Sequence, residues 1–177
     1  RSGWYIGGTE VEAFEQDFAA YCEVPHCVAV SNGLDALQLA LRVLGIGPGD
    51  EVLVPSNTFI ATWFAVSQLG AVPVPGEPVP ATHNMDPARA EAAITPRTRA
   101  MIPVHLYGQP ADMDGLIALA RRRGLVVVED AAQAQGARHR GQRIGGHADL
   151  VCWSFYPGKN LGALGDAGAI TTHDPRW

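Results

Sequence analysis

Residues 113–130 read MDGLIALARRRGLVVVED, and this stretch decides the fold class. Its first part, Met113–Arg123, is predicted to form a helix that Gly124 closes. The segment that follows, Leu125–Val128, is apolar on both faces, which is typical of a strand buried inside a parallel sheet. A helix followed directly by a buried strand indicates an α/β domain.

The same alternation continues on both sides of this stretch. Six more strands are predicted, at Cys27–Val30, Glu51–Val54, Ala71–Val74, Ala100–Val104, Ala148–Trp153 and Ala167–Thr172. Helices are predicted after a capping box that starts at Thr9, after Ser31-Asn32-Gly33, over Ser56–Leu69 and after the cap Asp86-Pro87. The pattern predicts a mainly parallel seven-stranded sheet flanked by helices, in one domain over residues 1–177.

Composition excludes several classes of protein. The net charge of −5 argues against nucleic acid or an anionic membrane as a partner. Three cysteines without a CxxC pair, and the lack of a signal-like start, favour a cytoplasmic protein over a secreted disulfide scaffold. The uncharged residues 52–76 are interrupted by proline, glycine and polar residues, so no membrane span is expected. No metal-binding motif is found among the six histidines, of which His105 is expected to lie on the substrate side.

Three polar features fall where strands end, which is where α/β sheets bind ligands. Ser31-Asn32-Gly33 joins a strand to a helix, whose N-terminus can hold a phosphate. Asp130 follows a buried strand, and Lys159 lies in a loop that follows another. A phosphate site, a half-buried carboxylate and a lysine are what pyridoxal 5'-phosphate requires, because the lysine forms a Schiff base and the acid pairs with the pyridinium nitrogen.

Each of these features alone also fits a structural role. Aspartates that end strands are commonly caps, surface lysines are usually solvated, and a glycine after a strand usually forms a turn. Lys159 is nevertheless the only lysine in the chain, and it lies in a glycine-containing loop beside aromatic residues. Gly158-Lys159 lacks the other residues of a P-loop, so an NTPase is excluded. Gly45–Gly49 follows a helix and precedes a strand, the reverse of the order that a dinucleotide-binding loop requires.

Taken together, the motifs resemble the DegT/DnrJ/EryC1/StrS family of nucleotide-sugar aminotransferases. The resemblance rests on residues 31–37 (SNGLDAL), 47–52 (GPGDEV), 55–62 (PSNTFIAT), 104–109 (VHLYGQ), 129–134 (EDAAQA) and 154–162 (SFYPGKNLG). It implies an aspartate aminotransferase-like (type I) fold whose last strand is antiparallel. It also implies an obligate homodimer with shared active sites. Because proteins of the family are about twice this long, the chain is expected to be the large cofactor-binding domain, without the C-terminal small domain.

The resemblance assigns roles around the cofactor ring. Lys159 would be the catalytic lysine that forms the Schiff base, and Asp130 the partner of the pyridinium nitrogen. Gln133 would bind the ring hydroxyl. Phe59, expected in the first turn of a helix, would stack on the ring, the alternative being an ordinary place in the helix core.

The resemblance also assigns the phosphate ligands. They would be the backbone N–H groups of Gly33 and Leu34 together with the hydroxyl of Ser154. Many relatives have threonine where Leu34 stands, so one side-chain contact to the phosphate is expected to be missing.

The implied reaction is transamination of a keto sugar linked to a nucleoside diphosphate, with glutamate as amino donor. Residues 57–63 resemble the enzymes of antibiotic pathways that act on 3-keto-6-deoxyhexoses, which favours amination at C3. One alternative is dehydration or elimination with the same cofactor; Lys159 argues against it, because some dehydrating relatives carry histidine there. The other is an inactive, truncated module for cofactor binding or dimerisation.

Overall fold

A computed structural model describes residues 3–4 and 6–177 of the chain. Its helices are α1 (Thr9–Tyr21), α2 (Gly33–Val43), α3 (Ile60–Ser67), α4 (Pro87–Ala92) and α5 (Met113–Arg123), with a 3-10 turn at Leu106–Gly108. Its strands are β1 (His26–Val30), β2 (Glu51–Pro55), β3 (Val72–Gly76), β4 (Thr98–Met101), β5 (Val126–Asp130), β6 (Arg138–His139), β7 (Gln142–Arg143), β8 (Leu150–Ser154) and β9 (Gly168–Thr172).

Seven strands form one sheet in the order β1-β9-β8-β5-β4-β2-β3. Strand β9 runs antiparallel to both of its neighbours, β1 and β8, and the remaining pairs are parallel. This confirms the predicted mainly parallel sheet with an antiparallel last strand. Six strands therefore end at one edge of the sheet, and the connection from β8 to β9, residues 155–167, stays at that edge.

Both faces of the sheet are covered, as expected from strands without a polar face. In β2, Val52 and Val54 pack into one core cluster with α2 and α3, whereas Leu53 packs into another beneath α4 and α5. A third cluster, under α1, is built around Trp153. Alternate residues of a strand point to opposite faces, so helices on each side are needed to bury them.

Several predicted boundaries are wrong. Gly8 rather than Thr9 caps α1, and no side chain bonds there, so the capping box does not form. Helix α3 begins at Ile60 rather than Ser56, because the residues before it form a turn after β2. The hairpin of β6 and β7 was not predicted, since each strand has only two residues. No helix among the described residues is long and apolar enough to cross a membrane.

Candidate active site

A cavity of about 640 Å³ opens at the edge of the sheet where the parallel strands end. It is lined by all seven residues predicted for the site, which come from four separate segments of the chain. They are Gly33, Leu34, Phe59, Asp130, Gln133, Ser154 and Lys159. The topology brings these residues together because β1, β2, β5 and β8 all end at this edge.

The N-terminus of α2 forms one end of the cavity. Asn32 caps this helix, its Oδ1 accepting the N–H of Asp35 at 2.8 Å. The N–H groups of Gly33 and Leu34 lie in the first turn, where no helical carbonyl can reach them. Ser154, at the end of β8, lies against Gly33 and brings a hydroxyl to the same place. Two N–H donors and a hydroxyl at a positive helix end are suited to a phosphate.

Gly33 leaves room for this arrangement. A Cβ atom at position 33 would lie 2.7 Å from the Cβ of Ser154. The Gly33→Ala substitution should therefore push the helix end and β8 apart and weaken binding of a phosphate ligand. We expect a loss of affinity for pyridoxal phosphate of about tenfold or more, measured by absorbance titration.

A matched control is available for that experiment. A Cβ at Gly47 meets no atom within 4 Å, so Gly47→Ala should leave the affinity unchanged. Equal affinities for the Gly33→Ala variant and the wild type would contradict the assignment of this helix end to the phosphate.

Asp130 is more deeply buried than predicted, with 5% of its surface exposed. Its Oδ2 accepts a hydrogen bond from the Thr62 hydroxyl at 2.8 Å, and its Oδ1 accepts one from the Ala132 N–H at 3.1 Å. Burial raises the pKa of the carboxyl, while these two hydrogen bonds and the nearby Lys159 oppose the rise. The structure thus offers a dry, hydrogen-bonded carboxylate that a cationic nitrogen could pair with.

Gln133 has a fixed amide orientation. Its Oε1 accepts the backbone N–H of Tyr107 at 2.6 Å, so the Nε2 group is the one left to donate. Tyr107 has a left-handed backbone, with φ of 58°, which is uncommon for a residue with a side chain. The turn after β4 therefore helps to orient a residue that follows β5.

Phe59 is 68% exposed and lines the cavity, so its alternative reading as part of the helix core is wrong. It is the N-cap of α3 and lies just before the first turn, not within it. Its ring is available to cover a planar ligand.

Lys159 lies in the connection between β8 and β9, as predicted. Its N–H donates to the Tyr156 carbonyl at 2.8 Å. The next residue, Asn160, donates from Nδ2 to the carbonyl of Gln135, and the Nε2 of Gln135 donates to the carbonyl of Ser154. These bonds hold the lysine loop against the segment that follows β5.

His105 does not line the cavity. It is fully buried, with its Nε2 2.8 Å from the Oε2 of Glu129, and its Nδ1 accepts the N–H of Ala111. Its predicted place on the substrate side is therefore wrong, because its ring lies in the core, where Glu129 offers it a buried partner. Its role is to hold the loop that follows β4.

Sequence reasoning assigned no role to four other polar residues of this region. Thr58, Tyr156 and Asp166 line the cavity, and Thr62 touches Asp130 from the core. Thr58 and Thr62 are four residues apart, one turn of a helix, and that spacing could have linked them to each other. Nothing in the sequence links Thr62 to Asp130, which is 68 residues away.

Comparison with known proteins gives a consistent result. The model of the DegT/DnrJ/EryC1/StrS aminotransferase family matches residues 1–177. The chain is 64% identical over 174 residues to a dTDP-3-amino-3,4,6-trideoxy-alpha-D-glucose transaminase of Streptomyces venezuelae, a match covering 98% of this chain and 46% of that protein. The chain thus spans about half the length of the relatives it matches.

Solved structures show the same likeness. One is DesV of S. venezuelae in complex with a ketimine intermediate, with a TM-score of 0.97 and 63% identity; the match covers 99% of this chain and 47% of that one. Another is NtdA of Bacillus subtilis with bound cofactor PMP, with a TM-score of 0.93 and 40% identity, covering 99% and 39%. At these values both the fold and the arrangement of elements are shared.

Proposed function

The chain belongs to the DegT/DnrJ/EryC1/StrS aminotransferase family, and on that basis we propose that it forms the cofactor-binding part of a pyridoxal-phosphate-dependent sugar aminotransferase. The observation that carries the proposal is one cavity that contains a buried carboxylate, an amine and a phosphate-binding helix end. We take residues 1–177 as the large domain of a longer cytoplasmic protein.

The residues of the cavity fit pyridoxal phosphate. The phosphate needs several donors at one point, and Gly33, Leu34 and Ser154 supply them where a Cβ at position 33 would intrude. The pyridine nitrogen needs an anion shielded from water, and Asp130 is one. The aromatic ring needs a flat apolar cover, for which Phe59 is available.

The cofactor would supply an electron sink when it is bound, and the residues of this cavity would bind and orient it. Asp130 would pair with the ring nitrogen and keep a proton on it, and Gln133 would donate from Nε2 to the ring oxygen. The Nζ of Lys159 would hold the cofactor, and the same amine would be the group that carries a proton to and from the substrate carbon.

For the substrate we propose a nucleotide-linked keto sugar aminated at C3, with glutamate as the amino donor, in the biosynthesis of an antibiotic. The similarity to the S. venezuelae transaminase, whose name specifies a 3-amino sugar, supports the carbon and the class of sugar. The names of other relatives, including a GDP-perosamine synthase at 50% identity, indicate that the sugar and its nucleotide vary among similar chains.

Product analysis tests this function. The full-length protein with pyridoxal phosphate, glutamate and a dTDP-3-keto-6-deoxyhexose should form 2-oxoglutarate and the 3-amino sugar in equal amounts, measured by mass spectrometry. Loss of water from the sugar without amino transfer would instead indicate a dehydratase, and no reaction with any keto sugar would favour a module that only binds the cofactor.

We also propose that the full-length protein is a homodimer whose active sites are shared between subunits. Apolar side chains are exposed at the mouth of the cavity and in the loop beyond Lys159, and a soluble monomer rarely leaves so many together. They are Phe59, Ile60, Phe64, Tyr156, Leu161 and Leu164. Sedimentation at micromolar concentration should give a dimer, and a stable monomer would contradict the proposal.

A further inference from the structure

We infer that Thr62, with Thr58 behind it, is a positioning residue for the Asp130 carboxylate and keeps it ready to bind the cofactor's ring nitrogen. This inference rests on the proposed function. Thr62 lies in α3 and Thr58 lies in the turn before it. Neither hydroxyl is among the cofactor ligands proposed above.

The side chain of Thr62 is fully buried although its hydroxyl is polar. The hydroxyl donates to the Oδ2 of Asp130 at 2.8 Å. It also lies 3.1 Å from the hydroxyl of Thr58, which lines the cavity. A buried hydroxyl is costly unless it is hydrogen-bonded, and these two contacts satisfy it.

The direction of the two bonds follows from the number of protons. A threonine hydroxyl has one hydrogen, and that of Thr62 is given to Asp130. In the contact between the threonines, Thr58 must therefore be the donor. Two O–H groups in series point towards the carboxylate, an arrangement in which each bond polarises and strengthens the next.

The two hydroxyls oppose the effect of burial on the pKa of Asp130. Burial raises the pKa of Asp130, and the Thr62 hydroxyl is the largest of the influences that lower it again. A hydrogen bond to an ionised group is stronger than one to a neutral group, so the Thr62 hydroxyl favours the carboxylate over the neutral acid. Other charged or titratable groups near Asp130 are Lys159 after β8, His105 after β4, Glu129 on β5 and Cys152 on β8.

Core packing holds Thr62 in place. Thr62 lies on the buried side of α3, as do Ala65 and Val66. Ala65 and Val66 are fully buried in the core cluster beneath this helix. The carboxylate is fixed independently by the N–H of Ala132 at its other oxygen. The two groups thus meet from separate elements of the fold.

The test is a double-mutant cycle in the full-length protein, with the dissociation constant for pyridoxal phosphate as the readout between pH 5 and 9. Thr62→Val removes the hydroxyl but keeps the shape, and Thr62→Ser keeps the hydroxyl. We expect Thr62→Val to weaken binding about tenfold at neutral pH, and Thr62→Ser to bind within about twofold of the wild type.

The same substitution in the Asp130→Asn background separates positioning from packing. There the charge is absent, so Thr62→Val should change the affinity by no more than about twofold. With Asp130 present, loss of the hydroxyl raises the pKa of the carboxyl further, so the affinity of the Thr62→Val variant should begin to fall at a higher pH than that of the wild type as the solution is acidified.

Equal losses in both backgrounds, or failure of Thr62→Ser to restore binding, would overturn the inference. A wild-type protein that does not bind pyridoxal phosphate would contradict the proposed function itself. If Thr62→Val does not fold, Thr58→Val decides, because it removes the second hydroxyl only: a pH profile displaced in the same direction supports the inference, and an unchanged one contradicts it.

Discussion

The Lys159→Ala variant of the full-length protein should bind pyridoxal phosphate but lose transamination by roughly 10⁴-fold or more. Lys159 is the only amine-bearing side chain in this chain, and it lines the same cavity as Asp130 and the helix end of Gly33. Without it no group of the chain can anchor the cofactor covalently or move the proton at the substrate carbon. Phosphate and carboxylate contacts remain, so binding should survive.

Spectroscopy and labelling check this result. The wild-type protein should be yellow, lose that colour when glutamate is added, and after borohydride reduction carry the cofactor on the peptide that contains Lys159. The Lys159→Arg variant is the matched control, because it keeps a positive charge in the cavity but offers no free amine; it should be as inactive as Lys159→Ala. A label on a lysine elsewhere, or full activity of either variant, would refute the assignment.

The Asp130→Asn variant should keep its fold and lose turnover by roughly 10²- to 10³-fold, the usual effect of removing one preorganised electrostatic partner. The amide has nearly the same shape: its oxygen can accept from the Ala132 N–H while its NH2 group donates to the Thr62 hydroxyl, but it has no charge to hold a proton on the ring nitrogen. Steady-state kinetics with saturating cofactor measures the loss. The exposed Asp114, changed to asparagine, serves as control and should leave kcat unchanged.

The stability of the apo-protein provides a second check. Burial raises the pKa of Asp130 above its unfolded value, so the stabilisation from this group is complete below the unfolded pKa and is lost as the pH rises through the folded one. The neutral amide has no such dependence. At neutral pH we therefore expect the apo form of Asp130→Asn to unfold no more readily than the wild type; a clear loss of stability would mean that the activity loss reflects misfolding.

The sequence predicted the sheet well, because its strands are short apolar runs between helix signals. Each of the seven strands was placed within a few residues, and Met113–Arg123 was placed as observed, since a capping aspartate and Gly124 mark its two ends. The start of a helix was predicted less accurately where the sequence marks it only weakly. Residues 56–59 resemble a helix start in composition, yet the structure uses them for the turn that presents Phe59.

Gly33, Asp130 and Lys159 were found because each lies where a predicted strand ends. The resemblance to the family added the other cavity residues, which are Leu34, Phe59, Gln133 and Ser154. Two kinds of residue could not be found that way. The bond between Thr62 and Asp130 depends on how α3 packs over the end of β5, and His105 turns inward because Glu129 offers it a buried partner. Both depend on contacts between segments distant in sequence, for which a single sequence carries no periodic signal.

The antiparallel strand β9 affects how the amine of Lys159 is brought to the cavity. A parallel strand in its place would require the chain to cross to the far edge of the sheet, whereas the observed connection of residues 155–167 leaves and rejoins the sheet beside the cavity. The two ends of the loop are hydrogen-bonded to each other, the Phe155 N–H donating to the Ala167 carbonyl at 2.8 Å, so the loop that carries Lys159 is closed at its base beside the cavity. The effective concentration of the Lys159 amine at the cavity is correspondingly high, and a free amine in solution would have to be supplied in large excess to take its place.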